Sequence, residues 1–169
     1  MSNIIFIHGL ESSGHGFKGN LFRKLIPEII APDFTAFTPE IPLETLLKTR
    51  MNELENILMN KTNWIIIGSS FGGLMACIFT LQNPKRVELL VLLAPFLNTD
   101  LLQVKQYLPI DVPTIIYHGK DDDVVPAEKS RYHAELLFNN LNYNLVEDDH
   151  QLRKTVSKIN WNVLFSPYK

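Results

Sequence analysis

Residues 64–81 read WIIIGSSFGGLMACIFTL, and this stretch decides how the rest of the chain is interpreted. Residues 64–67 form a continuous apolar run, which is typical of a strand buried on both faces of a parallel sheet. A short turn of glycine and serine follows directly, and over residues 74–81 the apolar side chains recur with helical spacing. The stretch therefore predicts a strand, a tight turn and a helix that stops near Asn83-Pro84.

The same patterns extend in both directions from this stretch. Further strands are predicted at residues 3–7, 87–93, 114–117 and 143–146, and further helices at residues 43–58, 127–138 and 152–159. Strands that alternate with helices, and that are mostly apolar throughout, pair in a parallel sheet with both faces covered. The predicted fold class is therefore α/β, with three layers and helices on both faces of a mostly parallel sheet.

The length of 169 residues suits one domain, so we expect a single domain over residues 1–169. Hydrophobic residues make up 46% of the chain, which is enough to build one core. The loosest region is residues 9–20, which hold four of the eight glycines. The other irregular stretch, residues 98–112, is too short for a separate cap domain, so we expect none.

The charge balance and the cysteine count exclude several classes of partner and compartment. A net charge of -2 lacks the basic excess that binding to a nucleic-acid backbone requires, so no nucleic acid is expected as partner. The single cysteine, Cys77, cannot form an internal disulfide, and nothing asks for an oxidising compartment. The longest apolar run, residues 89–97, is too short to span a bilayer. We expect a cytoplasmic protein that does not bind membranes.

Residues 68–72 match G-x-S-x-G, the pattern of a sharp strand-to-helix turn that exposes a reactive serine. Such a turn lifts the hydroxyl of Ser70 clear of the sheet, and small residues two positions away on either side avoid clashes. The following helix directs its N-terminus at the reacting centre, so the Phe71 amide is a candidate donor to an oxyanion. Ser69 is a competing nucleophile, but Phe71 stands where it would need a small residue. The alternative is a turn that only caps the helix.

At this motif the chain resembles the α/β-hydrolase superfamily, in particular its small, capless, bacterial esterase-like members, and the resemblance extends over residues 4–159. Residues 118–126, HGKDDDVVP, look like the acid turn of that family, H-G-x-x-D-x-x-V-P. The resemblance implies Asp122 as the acid of a catalytic triad. Asp121 and Asp123 are adjacent carboxylates in the same turn, and all three would also suit a solvated acidic turn with no chemistry.

A serine nucleophile also needs a histidine as its base. Residues 147–150, EDDH, resemble the D-H turn of the family, which implies His150 in the order serine, acid, histidine. Family members often carry glycine before D-H, so the backbone of this turn is not predicted. The other histidines are weaker candidates, and they are His8, His15, His118 and His133.

Residues 8–13, HGLESS, look like the H-G-x-x-x-S loop of the family. The resemblance implies the Leu10 amide as the second oxyanion donor, with the Glu11 amide as the alternative. Phe96 and Leu97 follow a predicted strand on the face of the site, so they are candidate residues of an acyl pocket.

Residues 14–19, GHGFKG, satisfy G-x-G-x-x-G, the fingerprint of dinucleotide-binding domains. In that fold the first glycine follows the strand at once, whereas here another turn at Gly9 intervenes. A P-loop also fails, because Asn20 and Leu21 replace the required lysine and hydroxyl residue. The chain has no H-E-x-x-H motif, and one cysteine cannot form a thiolate cluster. We therefore expect no metal and no cofactor.

These observations together predict a serine hydrolase that acts on a small carboxylic ester or thioester. The expected partner is a small-molecule acyl substrate, and the sequence does not indicate an oligomeric state. One alternative is a non-catalytic binding module on the same fold, because fold alone does not establish function. Another is an acyltransferase, which differs only in the nucleophile that resolves the acyl-enzyme.

Overall fold

The computed structural model describes residues 3–168, and at its centre five parallel strands pair in the order β1-β2-β3-β4-β5. The strands are β1 (Asn3–Ile7), β2 (Trp64–Ser69), β3 (Val87–Leu93), β4 (Thr114–Gly119) and β5 (Leu141–Val146). The α-helices are α1 (Phe17–Leu25), α2 (Leu43–Leu58), α3 (Phe71–Gln82), α4 (Ala127–Leu137), α5 (Arg153–Lys158) and α6 (Trp161–Phe165). This architecture confirms the predicted α/β class.

Side chains of each strand alternate between two cores, one on each face of the sheet. On one face, Ile5 and Ile66 pack with α2, α3 and α4, and on the other, Phe6 and Ile65 pack with α1, α5 and α6. Adjacent strands are also consecutive in the chain, so right-handed crossovers bring α2, α3 and α4 to the same face. The first helix and the last two cover the opposite face, which makes three layers.

Two helices were not predicted, and both lie on the second face. Helix α1 begins at Phe17, inside the region expected to be loose, and it buries only Gly19 and Phe22. Two buried positions are too few to produce a periodic apolar pattern. Helix α6 is a short segment of five residues beyond the predicted last helix.

Several boundaries also differ from the prediction. Strand β5 begins at Leu141 rather than residue 143, because it is an edge strand whose residues are half-buried or exposed and form no apolar run. Helix α5 begins at Arg153, because Leu152 has a left-handed backbone with φ of 52°. In the described part of the chain, no helix has the length and apolar character needed to cross a membrane.

Strands β2, β4 and β5 end at one edge of the sheet, since all strands run in the same direction. Ser70 follows β2 directly, the turn with Asp122 follows β4, and the turn with His150 follows β5. Open α/β sheets place their sites at this carboxyl edge. The topology therefore brings three distant segments of the chain together.

Candidate active site

Ser70 occupies the turn between β2 and α3 with φ of 53° and ψ of -115°, a conformation that non-glycine residues rarely adopt. Backbone hydrogen bonds hold it there. Its N–H donates to the Leu93 carbonyl over 3.0 Å, and its carbonyl accepts from the Phe96 N–H over 3.1 Å. A residue kept in a strained conformation by its surroundings is a common feature of reactive sites.

The glycines that flank Ser70 permit a close approach of backbone segments. A Cβ on Gly72 would lie 2.2 Å from the Ile7 carbonyl oxygen at the end of β1. A Cβ on Gly68 would lie 2.6 Å from the Gly72 carbonyl oxygen. Neither contact is sterically possible, so both positions require glycine for the turn to lie against β1 and α3.

His150 lies between Ser70 and Asp122 and contacts both side chains. Its Nε2 is 3.1 Å from the Ser70 hydroxyl oxygen, and its Nδ1 is 2.8 Å from Oδ2 of Asp122. The Asp122 side chain is fully buried, and the His150 ring is 12% exposed. The three residues predicted from three separate turns thus form one continuous hydrogen-bonded chain.

Asp122 accepts hydrogen bonds on both of its oxygens. Oδ1 accepts from the backbone N–H groups of Val124 at 3.0 Å and Val125 at 2.8 Å, while Oδ2 faces His150. Asp121 and Asp123, the alternatives in the sequence, are exposed to solvent. Of the three aspartates, only Asp122 contacts His150 within residues 3–168.

A second histidine on Asp122 was not singled out from the sequence. The Nε2 atom of His118 lies 3.1 Å from Oδ2 of Asp122 and 2.9 Å from the Val125 carbonyl oxygen. Burial lowers the pKa of His118, so the ring is neutral and Nε2 carries its proton toward these acceptors. Nδ1 lies 2.9 Å from the Tyr143 hydroxyl oxygen, which also lies 3.0 Å from the Ala127 carbonyl oxygen. His118 therefore contacts the same carboxylate oxygen of Asp122 as His150 does, and the H-G pair before the turn was its only sequence signal.

The turn that carries His150 is built from carboxylates where the family often has glycine. Oδ2 of Asp148 accepts from the N–H and the hydroxyl of Thr155, and Oδ1 of Asp149 accepts from the N–H of Gln151. The Asp121 N–H donates to the Asp148 carbonyl, which ties this turn to the acid turn. These bonds fix the backbone that the sequence left open.

Leu10, Glu11 and Phe71 line a cavity of about 530 Å³ that also contains Ser70 and His150. The N–H groups of Leu10 and Phe71 donate to no acceptor within residues 3–168. Both amides are thus free to donate to a group bound beside Ser70. Glu11 remains an alternative donor because it lines the same cavity.

The loop with Leu10 is held by Arg50 of α2, whose side chain is fully buried. Its guanidinium donates to the carbonyl oxygens of Thr35 at 2.8 Å, Gly9 at 3.3 Å and Leu10 at 2.9 Å. Burial lowers the pKa of Arg50, but arginine keeps its charge in proteins. Arg50 was not singled out from the sequence. Its signal is a charged side chain on the apolar stripe of helix α2.

His8 stabilises the same loop from the other side. Its Nδ1–H donates to the Gly9 carbonyl over 2.8 Å, and its Nε2 accepts from the Phe34 N–H over 3.0 Å. Burial lowers the pKa of His8, which agrees with the neutral ring that this pairing requires. His8 is therefore a structural histidine at the end of β1.

The two predicted pocket residues have different positions. Phe96 lines the cavity, as expected from its place at the end of β3. Leu97 does not line the cavity, because its side chain is fully buried in the core. The prediction of Leu97 as a pocket residue is therefore wrong. Consecutive residues here point in opposite directions, which the sequence alone could not show.

The glycines of residues 14–19 form close backbone contacts rather than a nucleotide cradle. A Cβ on Gly19 would lie 1.9 Å from the Gly14 carbonyl oxygen, and the Gly14 N–H donates to Asp33 over 2.7 Å. The motif therefore packs the start of α1 against its own loop. Among residues 3–168, no group of three or more His, Cys, Asp or Glu side chains is arranged to hold a metal ion.

Comparison with known proteins adds a family and a set of related folds. Residues 3–109 match the family model described as alpha/beta hydrolase fold. No curated protein sequence matches significantly. Solved structures with a similar fold include mouse alpha/beta hydrolase domain-containing protein 10, with a TM-score of 0.78 at 18% identity over 98% of this chain and 90% of that one.

Two further solved structures are also similar to this chain. The esterase EaEST from Exiguobacterium antarcticum has a TM-score of 0.76 at 16% identity, over 99% of this chain and 92% of that one. Est1E from Butyrivibrio proteoclasticus, solved with ferulic acid bound, has a TM-score of 0.78 at 15% identity, over 100% of this chain and 90% of that one. At these identities the likeness establishes the fold.

Proposed function

This chain belongs to the alpha/beta hydrolase fold family, and from that premise we propose that it is a serine hydrolase that cleaves a small carboxylic ester or thioester. The observation that carries the proposal is the contact of His150 with Ser70 at 3.1 Å and with Asp122 at 2.8 Å. These are hydrogen-bond distances for a nucleophile, its base and the group that orients the base.

The proposed reaction has two steps, and His150 carries the proton in both. Ser70 Oγ attacks the acyl carbon while His150 Nε2 takes the hydroxyl proton, and the same proton passes to the departing alcohol or thiol. The product of this step is an acyl ester on Ser70. Water then attacks that ester, His150 again takes and returns the proton, and the acid is released with Ser70 restored. Asp122 holds Nδ1–H and stabilises the charged ring in both steps.

The free amides of Leu10 and Phe71 support a tetrahedral intermediate in this scheme. Negative charge develops on the carbonyl oxygen during each attack, and backbone N–H groups that are already in position stabilise it. Phe71 begins α3, so the helix dipole adds to its effect. The solved neighbours include an esterase, EaEST, which favours esters as the substrate class.

Labelling with a fluorophosphonate probe tests the proposal directly. The probe should attach to Ser70, and Ser70→Ala should abolish both labelling and turnover of 4-nitrophenyl butyrate. Ser166→Ala, which removes an exposed hydroxyl at the other end of the chain, should be labelled like the native protein.

Ser69→Ala separates the two neighbouring serines. The proposal requires that this variant is still labelled at Ser70 and that peptide mapping of the labelled native protein finds no probe on Ser69. A native protein that neither reacts with the probe nor turns over any short ester would contradict the proposal and favour a binding module.

A further inference from the structure

Two cationic side chains line the same cavity as Ser70 and His150. They are Lys18 of α1 and Arg153 of α5, helices that lie side by side on the second face of the sheet. Of the described residues that line this cavity, Glu11 alone carries a carboxylate, and it forms no ion pair with either cation. The wall next to the proposed nucleophile is therefore positively charged.

The Lys18 ammonium has no hydrogen bond or ion pair among residues 3–168, although the residue is half-buried. Asp148 and Asp149 act on it only through longer-range attraction. Their carboxylates are engaged in the turn before α5, with Thr155 and with backbone N–H groups. Among the described residues, no carboxylate therefore forms an ion pair with Lys18.

Arg153 also has no acidic partner among the described residues. Its guanidinium lies 4.9 Å from the ring centroid of Phe17, another residue of the cavity wall, and it forms no ion pair within the described part of the chain. This stacking fixes the direction of the charged group but leaves its N–H donors free. Phe17 and Lys18 are consecutive, so the two cations are neighbours.

The surroundings disfavour the charged form of Lys18. Burial, together with repulsion from Arg153, lowers the pKa of Lys18 to about 8. The ammonium nevertheless stays mostly charged at neutral pH. The whole chain has a net charge of -2, so the positive wall is a local feature and not a consequence of a basic protein.

We propose that Lys18 and Arg153 form a subsite for an anionic oxygen group of the substrate, such as a carboxylate. The inference rests on the proposed hydrolase function and adds the chemical class of the ester to it. An anion bound here would pair with both cations and gain the N–H donors that the protein leaves unused. The preferred substrate is accordingly an ester or thioester that carries a negative charge away from the scissile bond.

The test compares charged esters with their neutral counterparts. The first pair is the mono-4-nitrophenyl ester of adipic acid and the same compound with its free carboxyl group methylated, which places the charge on the acyl part. The second pair is the butyrate ester of 3-hydroxy-4-nitrobenzoic acid and of its methyl ester, which places the charge on the leaving group. The quantity measured is the ratio of kcat/KM for the charged ester to that for the neutral ester.

The variants Lys18→Met and Arg153→Met remove one charge each and keep much of the side-chain length. In the pair that fits the subsite, we expect the ratio to fall about fivefold or more for each variant. Lys24→Met and Lys154→Met are matched controls, because each removes an exposed lysine from the same two helices outside the cavity. Their ratios should equal that of the native protein.

The outcomes separate this inference from the proposed function. If the native protein cleaves the neutral esters but the Lys18 and Arg153 variants leave both ratios unchanged, the subsite is wrong and the hydrolase remains. If no ester is cleaved and Ser70 does not react with the fluorophosphonate, the hydrolase itself is wrong. If the ratio also falls for Lys24→Met and Lys154→Met, the preference depends on the net charge of this region and not on two residues of the cavity. That result would also overturn the subsite.

Discussion

Asp122 is the most constrained carboxylate of the site, because its two oxygens accept from Val124, Val125, His118 and His150. Its neighbours in the sequence have the same charge but lie in solvent. Only the central aspartate can therefore orient the His150 ring.

Single Asp→Asn substitutions at residues 121, 122 and 123 test this difference. Asp122→Asn should reduce kcat on an activated ester by about 10⁴-fold, because an amide N–H₂ facing Nδ1 favours the wrong tautomer. Asp121→Asn and Asp123→Asn should stay within about twofold of the native protein, since neither side chain contacts His150. Near-normal turnover of Asp122→Asn would show that the acid is another residue.

Arg50 is the residue that positions the oxyanion loop, through the Gly9 and Leu10 carbonyl oxygens. Arg50→Lys keeps the charge but cannot donate to three carbonyl groups at once. We expect kcat to fall about ten- to a hundredfold, less than the loss of an oxyanion donor itself, with KM nearly unchanged. The melting temperature is measured alongside. If the melting temperature of Arg50→Lys also falls, and its kcat returns to the native value when the assay is run at a lower temperature, Arg50 has a role in stability alone.

At the scale of elements, the contact between the start of α3 and the end of β1 decides whether the nucleophile turn forms. Gly72 is the point of closest approach, since an added Cβ would meet the Ile7 carbonyl at 2.2 Å. Helix α3 is also buried along its length, from Phe71 to Leu81, so it cannot move away without opening the core on its face of the sheet. Helix α3 therefore cannot shift to make room for a side chain at residue 72.

Gly72→Ala should therefore lower the free energy of unfolding by about 2 kcal/mol or more, through overpacking of backbone against backbone. Urea unfolding followed by circular dichroism measures the change. Gly9→Ala is the matched control, because its Cβ would lie 3.5 Å from the nearest atoms, an ordinary contact, and its stability should remain close to native. Equal stability of both variants would contradict the close approach.

At the scale of the whole molecule, α1 and α5 bring Lys18 and Arg153 together beside the cavity. Since the pKa of Lys18 is lowered by burial to about 8, its charge is present below that pH and lost above it. The other charged groups near Lys18 are Arg153, Asp148 and Asp149, and Glu11 lines the same cavity. Titration of Lys18 therefore changes the charge of the wall.

The preference for a charged ester should consequently decline as the pH rises from about 7 to about 9.5. The measurement is the ratio of kcat/KM for the charged and neutral esters, in which any effect of pH that is common to both esters cancels. The same series with Lys18→Met should be flat. A constant ratio in the native protein would show that Lys18 does not face the substrate.

The cavity also limits the acyl chain. Its volume of about 530 Å³ is bounded by Phe96 at one side, and the segment after β3 contributes only a 3₁₀ turn, Val104–Gln106. We expect 4-nitrophenyl esters from acetyl to palmitoyl to show an optimum at short chains. A clear optimum at palmitoyl would contradict this expectation.

The sequence by itself determined the α/β class and the sharp turn at Ser70. Apolar runs, helical spacing and the small residues around Ser70 are local patterns, and a few consecutive residues are enough to produce them. The family resemblance also made Asp122 and His150 candidates in the turns after two strands, while Asp121 and Asp123 stayed open as alternatives to Asp122. Helix α1 and the start of strand β5 were not predicted, because α1 has a weak apolar periodicity and β5 is half-exposed.

Only the tertiary structure decided which side chains meet. Arg50 reaches the Gly9 carbonyl across 41 residues of sequence, and Leu97 turns into the core while Phe96 faces the cavity. Lys18 and Arg153 approach each other only because α1 and α5 pack on the same face of the sheet. Such contacts depend on strand order and on the packing of distant helices, which no local pattern encodes. The carboxyl edge of the sheet could be foreseen, but the charge and shape of the wall beside Ser70 required the packed molecule.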